Sequence, residues 1–296
     1  MLWLTRLVTP ACRAGTPSLH VVSETPGADG SSHTWFDILP GDHLSPVLLH
    51  VAHASRVIPA LVRAGLALDD EELTGELDAM TDAHTDLIAA AVGSRAERRP
   101  WQFVNRTSRL VVDPERFPDE REEMAAVGMA AVYRATSTGD RLRLPDVSRD
   151  QRLLAEFFVP YADGLADLVD ERLAATGRAI LLDVHSYPLH PHPYELHQDD
   201  ARPEICLGVD QSHTPEWLVT AARSALAAIG SVTINEPFRG TYVPLRHYQS
   251  DQRVCSLMLE IRRDVYMRPD GSPDLDRIET LAAAITEIVD ESTRRA

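Results

Sequence analysis

Three segments of the chain join an apolar run to a side chain that can bind a metal or move a proton. Pro46-Val47-Leu48-Leu49-His50-Val51-Ala52 leads into His53, and Ala179-Ile180-Leu181-Leu182-Asp183-Val184 leads into His185-Ser186-Tyr187-Pro188. The third, Leu257-Met258-Leu259-Glu260-Ile261, carries a glutamate in its middle. A lone carboxylate is costly to bury, so Glu260 asks for a purpose, and catalysis is the reading adopted. Asp82 and Asp86 stand four apart on a predicted helix and therefore on one face. Two histidines and one carboxylate make the ligand set of a catalytic zinc that keeps a position open, although a plain surface acid pair fits the two aspartates equally well. Another divalent metal would also suit such nitrogen and oxygen donors. Arg106, Arg109 and Arg116 form a second cluster, whose forked guanidinium groups suit a carboxylate ligand. For Arg109 an ion pair with Asp113 or Glu115 is the competing reading. His190, His192 and His197, scattered among prolines and acids, read as surface-loop residues or weak metal sites rather than catalytic groups.

The elements that must position these groups can be read from periodicity. Apolar, β-rich runs at 46–52, 101–104, 109–113, 179–184, 205–209, 231–234 and 254–261 predict strands, and patterns over 69–92, 119–134, 150–176, 214–229 and 273–294 predict helices. The first helix opens after Leu68 with acids in its first turns, and the fourth opens Thr214-Pro215-Glu216, with threonine as the expected cap. Such alternation implies an α/β fold, a single three-layer α/β/α domain with a mostly parallel sheet. Ligands of such sheets bind at the carboxyl ends of the strands, and His53 and His185 are both expected just past such ends.

Composition narrows the possibilities. A hydrophobic content of 44% supports a core. A net charge of −16 argues against nucleic acid or an anionic membrane surface as partner, while leaving room for a small anionic substrate held in a local arginine pocket. Cys12, Cys206 and Cys255 lack paired spacing and read as reduced thiols of a cytoplasmic protein. The opening residues lack the uncharged core of a signal peptide, and no run reaches the length of a membrane span. Residues 1–34, polar and glycine-rich from Ser23 to Thr34, read as a loosely ordered leader before a catalytic domain at 35–296.

From about residue 46 to 267 the chain resembles the N-formylglutamate amidohydrolases, which share the fold of the zinc carboxypeptidases. The resemblance is carried by His53 with Pro59, Thr81-Asp82-Ala83-His84-Thr85-Asp86, Asn105-Arg106 through Arg116, Asp183-Val184-His185-Ser186-Tyr187-Pro188, Ile205-Cys206-Leu207-Gly208, Asn235 through Tyr242, and Glu260-Ile261-Arg262-Arg263-Asp264. It implies that His53 and His185 are zinc ligands, that the remaining ligand is Asp86 or, as second choice, Asp82, and that Glu260 is the general base toward a zinc-activated water. It also implies that Arg116 grips a carboxylate, with Arg109 as helper; Arg106 belongs to the same cluster, and Arg239 and Tyr242 stand in the loop before the glutamate strand, where covering the substrate and packing the loop are equally good readings of Tyr242. The implied reaction is cleavage of the amide of a small N-acyl amino acid. A zinc carboxypeptidase or peptidoglycan amidase on the same scaffold is the nearest alternative, and a metal-free ligand-binding protein is the alternative from another class. Two departures stand out. Asp113-Pro114-Glu115-Arg116 replaces the usual Asp-x-Asn-Arg, placing an acid that would weaken anion binding if it faced the pocket. Tyr161-Ala162 stands where relatives often have Tyr-His, which bears on the substrate rather than on the metal.

Overall fold

The computed structural model describes residues 35–195 and 202–296. Their strands form one mixed sheet: β1 (Phe36–Leu39), β2 (Val47–Val51), β3 (Trp101–Asn105), β4 (Ala179–Tyr187), β5 (Ile205–Gly208), β6 (Val232–Ile234) and β7 (Val254–Arg262). The spatial order is β1-β3-β2-β4-β7-β5-β6. At its centre β3, β2, β4 and β7 run parallel; β1 is antiparallel to β3, and β5, parallel to β6, is antiparallel to β7. The helices are α1 (Ala60–Arg63), α2 (Asp70–Met80), α3 (Thr85–Arg95), α4 (Val147–Leu153), α5 (Val159–Thr176), α6 (Glu216–Leu226) and α7 (Leu275–Arg295). No helix among the described residues is long and apolar enough to cross a membrane.

Side chains alternate across a strand, so each central strand serves two faces. On one face Val47, Leu49, Ile180, Leu182, Leu257 and Leu259 pack beneath α3, α6 and α7. On the other, Leu48, Leu181 and Val254 pack beneath Tyr161, Leu165, Leu168 and Val169 of α5. Followed two residues at a time toward the carboxyl ends, that second face becomes His50, Asp183, His185 and Glu260. The parallel register sets His50 beside Asp183 and His185 beside Glu260. Core and chemistry therefore share one surface of the sheet, divided along the strand direction.

The α/β architecture is as predicted, and several boundaries differ. The span 69–92 is two helices rather than one. α2 starts on a capping box, with Asp69 Oδ1 accepting from Glu72 N and Glu72 Oε2 accepting from Asp69 N, both at 2.9 Å. It stops at Thr81, whose backbone is extended, and α3 restarts after His84, which holds a left-handed φ of 65°. No glycine or proline marks that break. One tertiary and one local bond hold it: Asp82 N donates to His53 O at 3.0 Å, and the Thr85 hydroxyl donates back to Asp82 O at 2.8 Å. The predicted helix at 119–134 is a loop with one 3-10 turn, Glu123–Val127, which closes on Gly128 at φ 81°. The predicted strand at 109–113 is a turn, because Leu110 enters one core cluster while Val111 and Val112 enter another. Thr214 does not cap α6; its hydroxyl donates to Ser256 O, and Pro215 takes the cap position. His185 lies inside β4 rather than past its end. The edge strand β1 has no counterpart among the predicted elements. Cys206 and Cys255 are buried free thiols. The expected leader, Cys12 and His197 lie outside the described residues.

Leu182, fully buried in the central strand, tests this core. Leu182→Ala should destabilise the fold by about 2–5 kcal/mol in urea denaturation, and a loss below about 1 kcal/mol would show that the face beneath α3 and α7 is not close-packed.

Candidate active site

Each functional side chain is delivered by a different element. His53 stands two residues past β2, Asp82 in the break between α2 and α3, and His185 near the end of β4. The Nδ1 atoms of His53 and His185 are 3.3 Å apart, and Asp82 Oδ2 lies 3.0 Å from His185 Nδ1 and 3.7 Å from His53 Nδ1. On the far sides of the rings, His53 Nε2 is 3.0 Å from Asp113 Oδ1 and His185 Nε2 is 2.9 Å from Asp183 Oδ1. A carboxylate beside each Nε2 favours the proton there, which leaves the two Nδ1 lone pairs facing each other. At that spacing the lone pairs repel unless a proton or a cation lies between them. Asp183 Oδ1 also accepts from His50 Nδ1 at 2.8 Å, and Asp183 Oδ2 accepts from Tyr242 N at 3.3 Å.

Asp113 is the most heavily engaged carboxylate. It accepts from Arg109 Nη2 at 2.7 Å, from Arg109 Nε at 3.2 Å, from the Tyr133 hydroxyl and from Glu115 N. Burial alone would raise its pKa, but the Arg109 and His53 charges hold it well below the usual carboxylate range. Asp82 is likewise lowered, burial being outweighed by hydrogen bonds from His185 and His53. The imidazoles are shifted upward when no ion is present. Burial opposes this, as does Arg109 for His53, but Asp113 and Glu115 prevail at His53, and Asp183 and Glu115 at His185. Glu260 behaves in the opposite way to the aspartates. Burial above all, helped by the Asp82 charge, pushes its carboxyl up to about 8 against the pull of His185, Arg109 and His53. Its Oε2 is buried without a hydrogen-bond partner, although the residue as a whole is only half-buried.

These groups open on a cavity of about 690 Å³, also lined by Arg116, Arg239, Tyr242 and Tyr194. The expected residues are sorted by it. His53, His185, Asp82 and Glu260 come together. Asp86 does not join them: beyond the helix break it turns its carboxylate to the N–H of Leu87. Arg106 also lies elsewhere, paired with Asp37 of β1 at 2.7 Å. Arg109 lines the cavity with its guanidinium committed to Asp113. Arg116 reaches Asp113 and Glu122 only at 3.6 and 3.7 Å, longer than hydrogen bonds. Glu115 faces inward, so the departure seen in the sequence falls on the site itself. His190 is exposed, whereas His192 lines the cavity, stacked on Tyr194. Sequence reading passed over Tyr133 and Arg263. Tyr133 was hidden in a falsely helical pattern, and Arg263 Nη2 lies 3.8 Å from Asp82.

Acid–base groups gathered at the carboxyl ends of parallel strands and opening on one cavity define an α/β enzyme. The chain belongs to the N-formylglutamate amidohydrolase family, whose model matches residues 45–267. An N-formylglutamate deformylase of Pseudomonas aeruginosa is 25% identical over 256 residues, which cover 83% of this chain and 91% of the relative. An N-formylglutamate amidohydrolase structure from Ralstonia eutropha JMP134 superposes with a TM-score of 0.73 at 22% identity, covering 89% of this chain and 98% of that one. A gene product of Agrobacterium tumefaciens gives a TM-score of 0.66 at 19% identity, covering 89% and 96%. At those identities the two structures show the shared fold.

The raised carboxyl of Glu260 has a measurable consequence in protein kept in excess chelator. Between its ordinary 4.5 and about 8, the folded chain holds a proton that the unfolded chain has released, so stability from this group is lost as pH rises through that window. Across the same range the melting temperature of Glu260→Gln should fall less steeply than that of the wild type. Equal slopes would place Glu260 in solvent.

Proposed function

We propose that the chain is a zinc-dependent amidohydrolase that cleaves the amide of a small N-acyl amino acid of the N-formylglutamate type. The observation that carries this reading is the convergence of His53 Nδ1, His185 Nδ1 and Asp82 Oδ2 beside Glu260. A tetrahedral zinc with ligands near 2 Å requires donor atoms roughly 3.3 Å apart, and the three separations of 3.3, 3.0 and 3.7 Å suit it. Charge points the same way. Asp82, Asp113, Asp183 and Glu115 crowd two imidazoles, with Arg109 and Arg116 as the cations nearest Asp113. With Arg263 3.8 Å from Asp82, three arginines face four carboxylates, and the net negative charge left over favours a bound cation.

Held by His53, Asp82 and His185, the ion would polarise the acyl oxygen and lower the pKa of water. Glu260 takes the proton of the attacking water and returns it to the departing amine, a role suited to a carboxyl that has no competing hydrogen-bond partner on Oε2. Arg116, whose ion-pair contacts are long, grips the substrate carboxylate, and Arg239 and Tyr242 bound the cavity around it. Arg109 acts at one remove, holding Asp113 against His53. Fixing the carboxylate makes the attack effectively intramolecular.

Metal analysis together with a panel of N-formyl, N-acetyl and N-succinyl amino acids tests the proposal, with a peptide as comparison. One zinc per chain and fastest release from an N-formyl acidic amino acid are expected. Turnover of the peptide alone would move the activity to a carboxypeptidase. Glu260→Gln should keep its metal and lose about two to four orders of magnitude in turnover. Loss of the metal instead would make Glu260 a ligand. Arg116→Ala should raise KM on the order of ten- to hundredfold with little change in kcat, since a charged hydrogen-bonded contact contributes roughly 1.5–3 kcal/mol.

A further inference from the structure

We propose that Glu115 is a positioning residue for the ion, a single carboxylate placed behind both histidines. The proposal rests on the metal-site reading above. Glu115 Oε1 lies 3.3 Å from His185 Nε2, and Oε2 lies 3.6 Å from His53 Nε2. Both contacts are to the ring nitrogens that face away from Asp82, so Glu115 stands on the opposite side of the imidazoles from the ion. Asp113 serves only His53 and Asp183 only His185 among these rings; Asp82 meets both on the Nδ1 side, and among the described residues Glu115 alone meets both at Nε2. Its placement is fixed by its own backbone, whose N–H donates to Asp113 Oδ1 at 3.1 Å. Glu115 Oε1 and His185 Nε2 are both buried without a hydrogen bond of good geometry, so each has capacity for the other. A negative charge at the far nitrogen makes an imidazole a stronger donor through the near one and fixes its ring plane. With one carboxylate behind both rings, the two donors are oriented together.

A second ion is the competing use of the same atoms. His50 Nδ1, Glu115 Oε1 and Asp183 Oδ1 lie close enough to share a cation. Such an ion would also meet His185 Nε2, which is 2.9 Å from Asp183 Oδ1 and 3.3 Å from Glu115 Oε1. His185 would then have to give up its ring protons on both nitrogens to bridge two ions. A single ion, with Glu115 behind its ligands, leaves that proton in place.

The test titrates metal-stripped wild type, Glu115→Gln and Glu115→Ala with Zn2+ against a chromophoric chelator. It also records the visible spectrum of each protein saturated with Co2+, with circular dichroism to establish that each is folded. We expect one ion per chain throughout, a binding constant about 10- to 100-fold weaker in both variants, and cobalt bands of unchanged coordination number. Wild-type affinity in either folded variant overturns the proposal. Two ions per wild-type chain with one lost on substitution also overturns it, because Glu115 would then be a ligand of a second centre. Asp82→Asn separates the two levels of the argument: if the wild type binds no ion, or Asp82→Asn binds as tightly as wild type, the metal-site reading itself fails.

Discussion

Carboxylates brought close together in a poorly solvated place must be neutralised, and most of this active site follows from how that is done. Asp82, Asp113 and Asp183 are all buried, and Glu115 nearly so. Each meets at least one imidazole nitrogen. Arg109 and Tyr133 complete the shell of Asp113. A buried charge paired in this way is tolerated, whereas one stripped of its partner is strongly destabilising. Removing any member of the group would therefore disturb the others as well as the chemistry. Glu260 is the exception: with no ion beside it, burial pushes its carboxyl upward, so there the demand is met by a proton rather than by a paired charge.

The sheet does the positioning. Parallel pairing of β2, β4 and β7 fixes which residue stands beside which, and a slip of one position would turn His185 and Glu260 into the opposite layer, beneath α3 and α7. Along the second face the boundary between α5-covered leucines and cavity-lining acid–base groups falls between Leu181 and Asp183. The apolar half anchors the strands, and the polar half inherits their rigidity.

How much of this was legible in the sequence varied with the kind of signal. The central strands were legible because burial on both faces leaves continuous runs such as Val47–Val51 and Ala179–Val184. The chemical residues at their ends were legible for the same reason, since a histidine or glutamate stands out against such a run. The break at Thr81–His84 was not, because it is held by a bond from Asp82 N to the carbonyl of His53, a partner distant in the chain. That one omission accounts for Asp86 being ranked above Asp82. Arg106 was misplaced because proximity in sequence to Arg109 and Arg116 says nothing of the turn that separates them in space. Tyr133 was lost in an amphipathic pattern that Gly128 interrupts.

The interruption between α2 and α3 also sets a number. Had the helix continued, Asp82 and Asp86 would have projected from one face a single turn apart, giving the two histidines a pair of carboxylate companions. Four donors of that kind close a tetrahedral ion against solvent, as in sites whose task is to hold a fold together, while three leave a vertex for a reactant. In the ion site proposed above, the kink withdraws one acid and leaves three donors, His53, His185 and Asp82. At that site, the number of protein donors is thus set by the backbone conformation of four residues.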